Sequence, residues 1–280
     1  MKLKRLVLTG AAGRLGSYLR EPLSHLSDEL VSSDMAESLG PLYAGERYQR
    51  ADLTDKAAIH ALMAGADMVV HFGAISDEAT FEAILGPNII GAYNVWEAAH
   101  QQGLRRVVYA SSIHAVGMYP KAEFIGTDVP HRPDTFYGLA KCFAEDLGRM
   151  YWDKRGLESV HLRILSCAQV TSPRALGTWL SYDDLIRLVT RAVDTPVTGF
   201  SVVYGVSNND RAPVDNAKAS HLGYRPQDNA EAFAAQILAE APRPDPTDLA
   251  QACHGGAFAS VGLGQSGKAQ MNIIDDTKTA

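Results

Sequence analysis

Short apolar runs alternate, over the first 165 residues or so, with stretches in which apolar positions recur every three or four residues. Leu6 to Thr9 reads as a strand, followed by a glycine-rich turn and a helical pattern from Arg14 to Leu26. Glu29 to Ser33 gives a second strand ending at Asp34, and Glu46 to Arg50 a third before Asp52-Leu53 and a helix over Asp55 to Met63. Asp67 to His71 is a fourth strand with a bulky, β-branched centre. A helix is expected from Pro87, whose fixed φ suits a first turn, to Gln102, with Gly103 as its stop. Arg106 to Ala110 is a fifth strand, Asp134 to Lys154 a long helix and Ser159 to Ile164 a sixth strand. Strands alternating with helices predict an α/β fold, a Rossmann-like doubly wound parallel sheet covered on both faces.

After Ser166 the alternation loosens. Cys167 to Thr178 reads as a loop, Tyr182 to Val193 as a helix, Ser201 to Tyr204 as a strand and Asp228 to Ala239 as a helix. The organisation expected is a core over residues 1–166, a small C-terminal substrate-binding cap over 167–241 that completes the same domain, and a peripheral arm over 242–280. The arm is rich in Pro, Gly and polar residues, and its last dozen or more positions are expected to be disordered.

With 46% hydrophobic and 21% charged residues over 280 positions, the chain has enough apolar content for a complete core. A formal charge of −6 with no long basic run argues against nucleic-acid or anionic-membrane binding. Cys142, Cys167 and Cys253 are odd in number and lack metal-ligand spacing, so neither a disulfide framework nor a metal site is expected, and a cytoplasmic location fits best. The start MKLKRLVLTG runs straight into a glycine turn and reads as a strand, not an export signal. No apolar run approaches the roughly 20 residues needed to span a bilayer.

The candidate chemistry lies at strand ends. Gly10, Gly13 and Gly16 sit between the first strand and the first helix, where backbone amides and the helix terminus are able to bind a pyrophosphate that approaches without meeting a side chain. Asp34 ends the next strand, close to the spacing of about 20 residues expected of an acid that accepts from the adenosine ribose and repels an added phosphate. NAD is thus favoured over NADP, although Arg14 in the loop is a possible partner for that phosphate. Asp52-Leu53 is a candidate for flanking the adenine, with a helix N-cap as the plainer role for Asp52. Tyr137 and Lys141 lie four apart on one helix face with side-chain bases about 5–6 Å apart, close enough for an ammonium to lower the phenol's pKa. A phenol otherwise titrates near 10 and is a poor base at neutral pH. Ser111-Ser112 ends the fifth strand about 25 residues upstream. Taken alone the Tyr and Lys are as compatible with an ordinary amphipathic helix; glycine loop, serine and chain order together indicate a nicotinamide dehydrogenase.

TGAAGRLG, Asp34, Asp52-Leu53, HFGA at His71 to Ala74, NIIGAYNVWEAA from Asn88, YASS ending at Ser112 and the Tyr137/Lys141 pair resemble the extended short-chain dehydrogenase/reductase superfamily. Within it the chain is similar to the bacterial uronate dehydrogenases, through GAIS at Gly73 to Ser76, SSIHAVGMYP from Ser111, DVPHRPDTFYGLAKCFAEDLGRMY from Asp128, RILSC from Arg163, LGTW after Arg174 and GYRPQDNAEAF from Gly223. The resemblance implies NAD-dependent oxidation of a cyclic hexuronic acid, glucuronate or galacturonate, at the anomeric carbon to an aldarolactone. It makes Ser112, Tyr137 and Lys141 catalytic and Ser111 structural. The cofactor set it implies is Gly10, Gly13, Arg14, Leu15, Gly16, Asp34, Asp52, Leu53, Phe72, Gly73, Ala74, Tyr137, Lys141 and Ile164. Its substrate positions are Ser76, Ser112, Ile113, His114, Tyr137, Ser166 and Arg174, the last suited to a carboxylate through its guanidinium fork. Ile113 stands where the family usually has asparagine, which is expected to remove a hydrogen-bonding amide from the sugar pocket and alter substrate choice. A homo-oligomer is also implied, through the helix bearing Tyr137 and the one before the fifth strand.

Two other readings share these residues. A nucleotide-sugar epimerase or dehydratase uses the same serine, tyrosine and lysine, but only about 115 residues remain after the sixth strand to hold a nucleotide. An NAD-sensing regulator without turnover is opposed by the intact Tyr137 and Lys141.

Overall fold

The structure, a computed structural model, describes residues 2–243 and 245–270. Each strand expected from the apolar runs forms: β1 (Leu3–Thr9), β2 (Ser27–Ser33), β3 (Glu46–Tyr48), β4 (Met68–His71), β5 (Arg106–Tyr109), β6 (Glu158–Ile164) and β7 (Phe200–Gly205). They join one parallel sheet in the order β3-β2-β1-β4-β5-β6-β7. Alternation along β1 sets the layers, since successive side chains face opposite ways. Leu6 and Leu8 pack with Leu19 and Leu23 of α1 (Arg14–Ser24) and with Leu185 and Leu188 of α7 (Tyr182–Asp194). Val7 packs on the other face with Ile59 of α2 (Lys56–Leu62), Val95 and Trp96 of α4 (Gly91–Gln101) and Leu147 and Tyr151 of α5 (Phe136–Arg155). The order in which successive strands are added reverses between β1 and β4, which opens a crevice at their carboxyl ends, the usual ligand position in such sheets.

Several expectations are corrected. The helix at Pro87 does not begin there: Thr80 caps a short α3 (Phe81–Ile84), and Leu85–Ile90 forms a π-turn leading into α4. Proline lacks the N–H that an i→i−4 bond needs, so a wider turn accommodates it. The turn directs Asn88 onto Ile75, whose N–H and carbonyl it bonds at 2.8 and 2.9 Å. Secondly, α7 and β7 belong to the main sheet and not to a cap. β7 pairs with β6 in register from Ser159↔Phe200 to Ile164↔Gly205, and the long loop before α6 (Ala175–Thr178) had obscured that periodicity. The helix expected over Asp228 to Ala239 is a 3-10 turn at Ala230–Phe233 followed by a short α8 (Ala234–Ala239).

Thirdly, the arm expected to be peripheral is woven into the fold. Gly255 donates its N–H to Gly117 O, His254 to Tyr119 O, and Lys121 to Ala252 O. Phe258 is buried beside Tyr137 and Ile84. Residues 271–280, where disorder is expected, lie outside the described residues. Among the described residues no helix is long and apolar enough to cross a membrane, and no cluster of His, Cys, Asp or Glu is arranged to hold a metal ion.

Candidate active site

A cavity of about 860 Å³ opens along the carboxyl ends of the central strands, from Asp34 at one end to Arg174 and Phe258 at the other. Its dinucleotide half is built by close backbone approach. Gly10 has φ +74°, and a Cβ there would lie 2.6 Å from Gly73 N; a Cβ on Gly16 would lie 2.0 Å from Gly10 O. Only glycine fits both places. Gly13 caps α1 with no side chain over the helix terminus, leaving the amides facing the cavity. Asp34 accepts from Ala12 N–H at 3.0 Å and from Met35 N–H at 2.7 Å, which fixes its carboxylate at the end of β2. Arg14 turns away from that acid's role: its guanidinium donates to Cys167 O at 2.5 Å and to the Tyr182 hydroxyl at 3.0 Å. Such a site, with a carboxylate at the ribose end and its loop arginine engaged elsewhere, fits NAD without an added phosphate. Asp52 forms a turn with Thr54, which holds its carboxyl below the usual range, and the N-cap of α2 is Asp55 instead. Leu53, Phe72, Gly73, Ala74 and Ile164 line the same half, as does Leu15.

The catalytic candidates meet in the middle. Thr135 caps α5 by accepting from Gly138 N–H at 3.0 Å, which places Tyr137 in the first turn, while Gly156 with φ +68° ends the helix. Ser112 caps the 3-10 turn Ile113–Val116 and hydrogen-bonds Tyr137. Its neighbour Ser111 is committed elsewhere, donating to Glu145 at 2.5 Å inside a buried set with His131 and Arg163. Lys141 donates to Ala110 O at 2.6 Å, and its ammonium lies 5.2 Å from the Tyr137 ring centroid. Here the expected electrostatics are corrected. Burial pushes the Tyr137 phenol up to about 12, with the Ser112 hydrogen bond acting the other way. Burial brings Lys141 down to about 7, opposed by Glu145. For both groups desolvation outweighs the neighbouring contacts that favour the charged form.

The far half suits a small polar anion. His114 donates its Nδ1–H to Asp134 Oδ2 at 2.8 Å and stacks on Phe258 at 4.0 Å between centroids. Asp134 has no room to move, since a Cβ on Gly117 or on Gly255 would lie 1.9 Å from its Oδ2. Arg174 donates to Ser166 Oγ at 2.8 Å and to His254 O at 2.6 Å. Burial lowers it to about 10, with only Asp134 at longer range favouring the charge. Among the described residues it makes no ion pair. Ile113 is a correction. It lies in an apolar cluster with Val116, Ile125, Tyr204, Val206 and Val214, 1% exposed, and does not line the cavity. A β-branched residue in a 3-10 turn beneath the strand ends packs inward, so the exchange for asparagine removes nothing from the wall of the site. Every other substrate position, Ser76, Ser112, His114, Tyr137, Ser166 and Arg174, does line it.

No local pattern singles out Gly255, Ala257, Phe258 and Lys268, which also line the cavity, or Glu78, whose buried carboxylate accepts from Tyr137 N–H at 2.8 Å. Their partners lie far away in the chain, beyond the reach of any local motif.

Fold, glycine loop and Ser112/Tyr137/Lys141 together define the class: a nicotinamide-dependent short-chain dehydrogenase of the extended type. The model of the NAD dependent epimerase/dehydratase family matches residues 6–175. A uronate dehydrogenase of Pseudomonas putida is 47% identical over 262 residues, covering 92% of this chain and 96% of that protein. The structure of a mutant uronate dehydrogenase from Agrobacterium tumefaciens complexed with NAD superposes with a TM-score of 0.88 at 45% identity, over 92% of this chain and 98% of that one. That of a glucuronic acid dehydrogenase from Chromohalobacter salexigens gives 0.89 at 44% identity, over 93% and 98%. The chain belongs to the NAD dependent epimerase/dehydratase family, and within it to the uronate dehydrogenases.

Proposed function

We propose that this protein oxidises the cyclic hemiacetal of a hexuronic acid, glucuronate or galacturonate, at its anomeric carbon and releases the aldarolactone, with NAD as hydride acceptor. One observation carries the reading: Arg174, a deeply set guanidinium whose partners are two hydroxyls and a carbonyl, lies in the same cavity as Ser112, Tyr137 and His114. A cation so placed favours an anion, and a guanidinium matches a carboxylate in two bonds. Ser166 and Thr178, joined by a hydrogen bond of 3.0 Å, orient it.

With the carboxylate on Arg174, the sugar's anomeric end falls to Tyr137 and Ser112. Tyr137 takes the proton of the anomeric hydroxyl while the hydrogen on the same carbon leaves as hydride with both electrons of its bond, so a proton and a hydride depart and a lactone carbonyl forms. Ser112 donates to the reacting oxygen, a contact worth about 2.7–4 kcal/mol where charge develops. His114, fixed by Asp134, presents its other ring nitrogen to a sugar hydroxyl. NAD, when bound, supplies the hydride acceptor and a cationic ring whose charge favours the phenolate.

The experiment is NADH formation by purified protein with glucuronate, galacturonate and their neutral aldoses. Hexuronates should be strongly preferred, and Arg174→Met should lower kcat/KM for them by about 10- to 100-fold, the loss expected of a hydrogen bond to a charged group of about 1.5–3 kcal/mol. Equal rates on the neutral sugars would remove the carboxylate from the proposal.

The reading extends to a homo-oligomer in a reducing cytoplasm. Tyr93 on α4 and Leu139, Phe143 and Met150 on α5 are exposed apolar residues on two adjacent helices, a face suited to a second copy of the chain. The three cysteines are buried and none of them is in a disulfide, as suits a reducing compartment. Light scattering should give a mass above 30.2 kDa, and a monomer would exclude that face as an interface.

A further inference from the structure

Residues 264–268 lie at the mouth of the cavity on a specific mount. Asp77 Oδ1 accepts from the backbone N–H of Gly267 at 3.0 Å and of Lys268 at 3.1 Å, and its Oδ2 accepts from the Ser266 hydroxyl at 2.5 Å. Glu78 accepts from Gly264 N–H through one oxygen at 2.9 Å and from Tyr137 N–H through the other at 2.8 Å. One buried carboxylate thus ties the segment to the first turn of α5. Gly267 is seated on Phe258, where a Cβ would lie 2.4 Å from the ring. The result is that Lys268 Nζ reaches the cavity wall and donates to Ser76 Oγ at 2.8 Å.

Four cationic residues line this cavity, and three of them hold backbone carbonyls: Lys141 that of Ala110, Arg174 that of His254, and Arg14 that of Cys167. Lys268 instead holds a hydroxyl, which exchanges partners more readily than a backbone carbonyl fixed in the fold. Its partner Ser76 stands three residues beyond Gly73, the residue that abuts Gly10 of the glycine loop, which places the ammonium on the glycine-loop side; burial lowers its pKa against the pull of Asp77. On that side α1 offers amides and a helix terminus but no side-chain cap, whereas a pyrophosphate brings two full negative charges.

We propose that Gly264–Lys268 is a clasp over the bound dinucleotide, with Lys268 as the cation that pairs with its pyrophosphate. The proposal rests on NAD as the cofactor and is independent of the sugar. Asp77 and Glu78 are positioning residues that hold the clasp closed, and the dinucleotide leaves when they release it.

The test is fluorescence titration of the full-length protein with NADH, with no sugar present. Lys268→Met should weaken binding about 10-fold at low salt, one charge-assisted contact's worth, and the deficit should shrink as salt rises. Lys268→Arg should retain most of the affinity. Asp77→Asn should speed NADH release in stopped flow while Lys268 is intact. An unchanged NADH affinity in Lys268→Met, or a loss confined to KM for the uronate, would overturn the clasp. Failure of the unaltered protein to oxidise uronates would leave this titration unaffected, so the two readings fail separately.

Discussion

Tyr137 shows why residue type and spacing are only part of a catalytic argument. Its place four positions before Lys141 was legible in the sequence, but its protonation was not, because desolvation depends on what covers it. Ile84, Ala140 and Phe258 pack around it, and burial outweighs the Ser112 hydrogen bond to bring the phenol to about 12. Lys141, down to about 7 and bonded to Ala110 O, acts by position more than by a permanent charge on the phenol. The sign for the reaction follows. Oxidation needs a proton acceptor, the phenol is protonated at neutral pH, and so kcat/KM should rise with pH through the neutral range. Tyr137→Phe removes that acceptor and should reduce turnover by about 10²–10⁴-fold, the usual worth of a positioned acid or base, with NADH affinity retained. Steady-state rates across pH, beside an NADH titration, check both halves. Near-full activity in Tyr137→Phe would exclude it as the base.

At the scale of elements, what sequence revealed is what local backbone geometry demands. The turn from β1 to α1 needs glycines wherever Phe72, Gly73 and Gly10 O approach, so its pattern was readable from the chain. The sugar half depends on joints between distant segments. Gly117 follows the 3-10 turn and Gly255 belongs to the C-terminal segment, yet both close on the same Asp134 oxygen and are joined by a hydrogen bond of 2.8 Å. No motif announces such a joint, and the expectation of a peripheral arm failed there. Ile113 failed for a related reason, since a one-residue step along a tight turn changes a side chain from cavity to core. The joint itself makes a prediction. Gly117→Ala would set a methyl against the Asp134 carboxylate, displacing the acid that orients His114. KM for the uronate should rise several-fold, with NADH affinity near that of the unaltered protein. If KM is unchanged, the His114 imidazole does not depend on Asp134 for its position.

Across the whole molecule, the polar groups sealed between sheet and helices tie stability to pH. His71 and His161 are fully buried, and burial lowers them to about 3 and about 4 from an ordinary value near 6.5. His71 bonds Thr9 Oγ1 at 2.7 Å, and His161 lies against Trp96 and Tyr109. Both stay neutral in the folded protein at pH values where the unfolded chain protonates them. Below about 6.5 the unfolded state therefore binds more protons, and stability falls as pH falls towards 4. Glu145, held well below the carboxylate range by His131 and Arg163 against the cost of burial, adds a second loss below about 4.5. His131 works in the opposite sense. Its value is raised chiefly by Glu145, so its contribution is present at acid pH and is lost as pH rises through its folded pKa. Between pH 6 and 4.5 His131 is protonated in both states and adds almost no slope, so the protons taken up by His71 and His161 on unfolding set it. Urea unfolding should thus show stability dropping in that window by about 1.4 kcal/mol per pH unit for each net proton. His71→Gln keeps a partner for Thr9 and removes one of the two opposing protons, so its slope should be shallower by about one proton. An identical slope in that variant would mean that His71 is protonated in the folded protein.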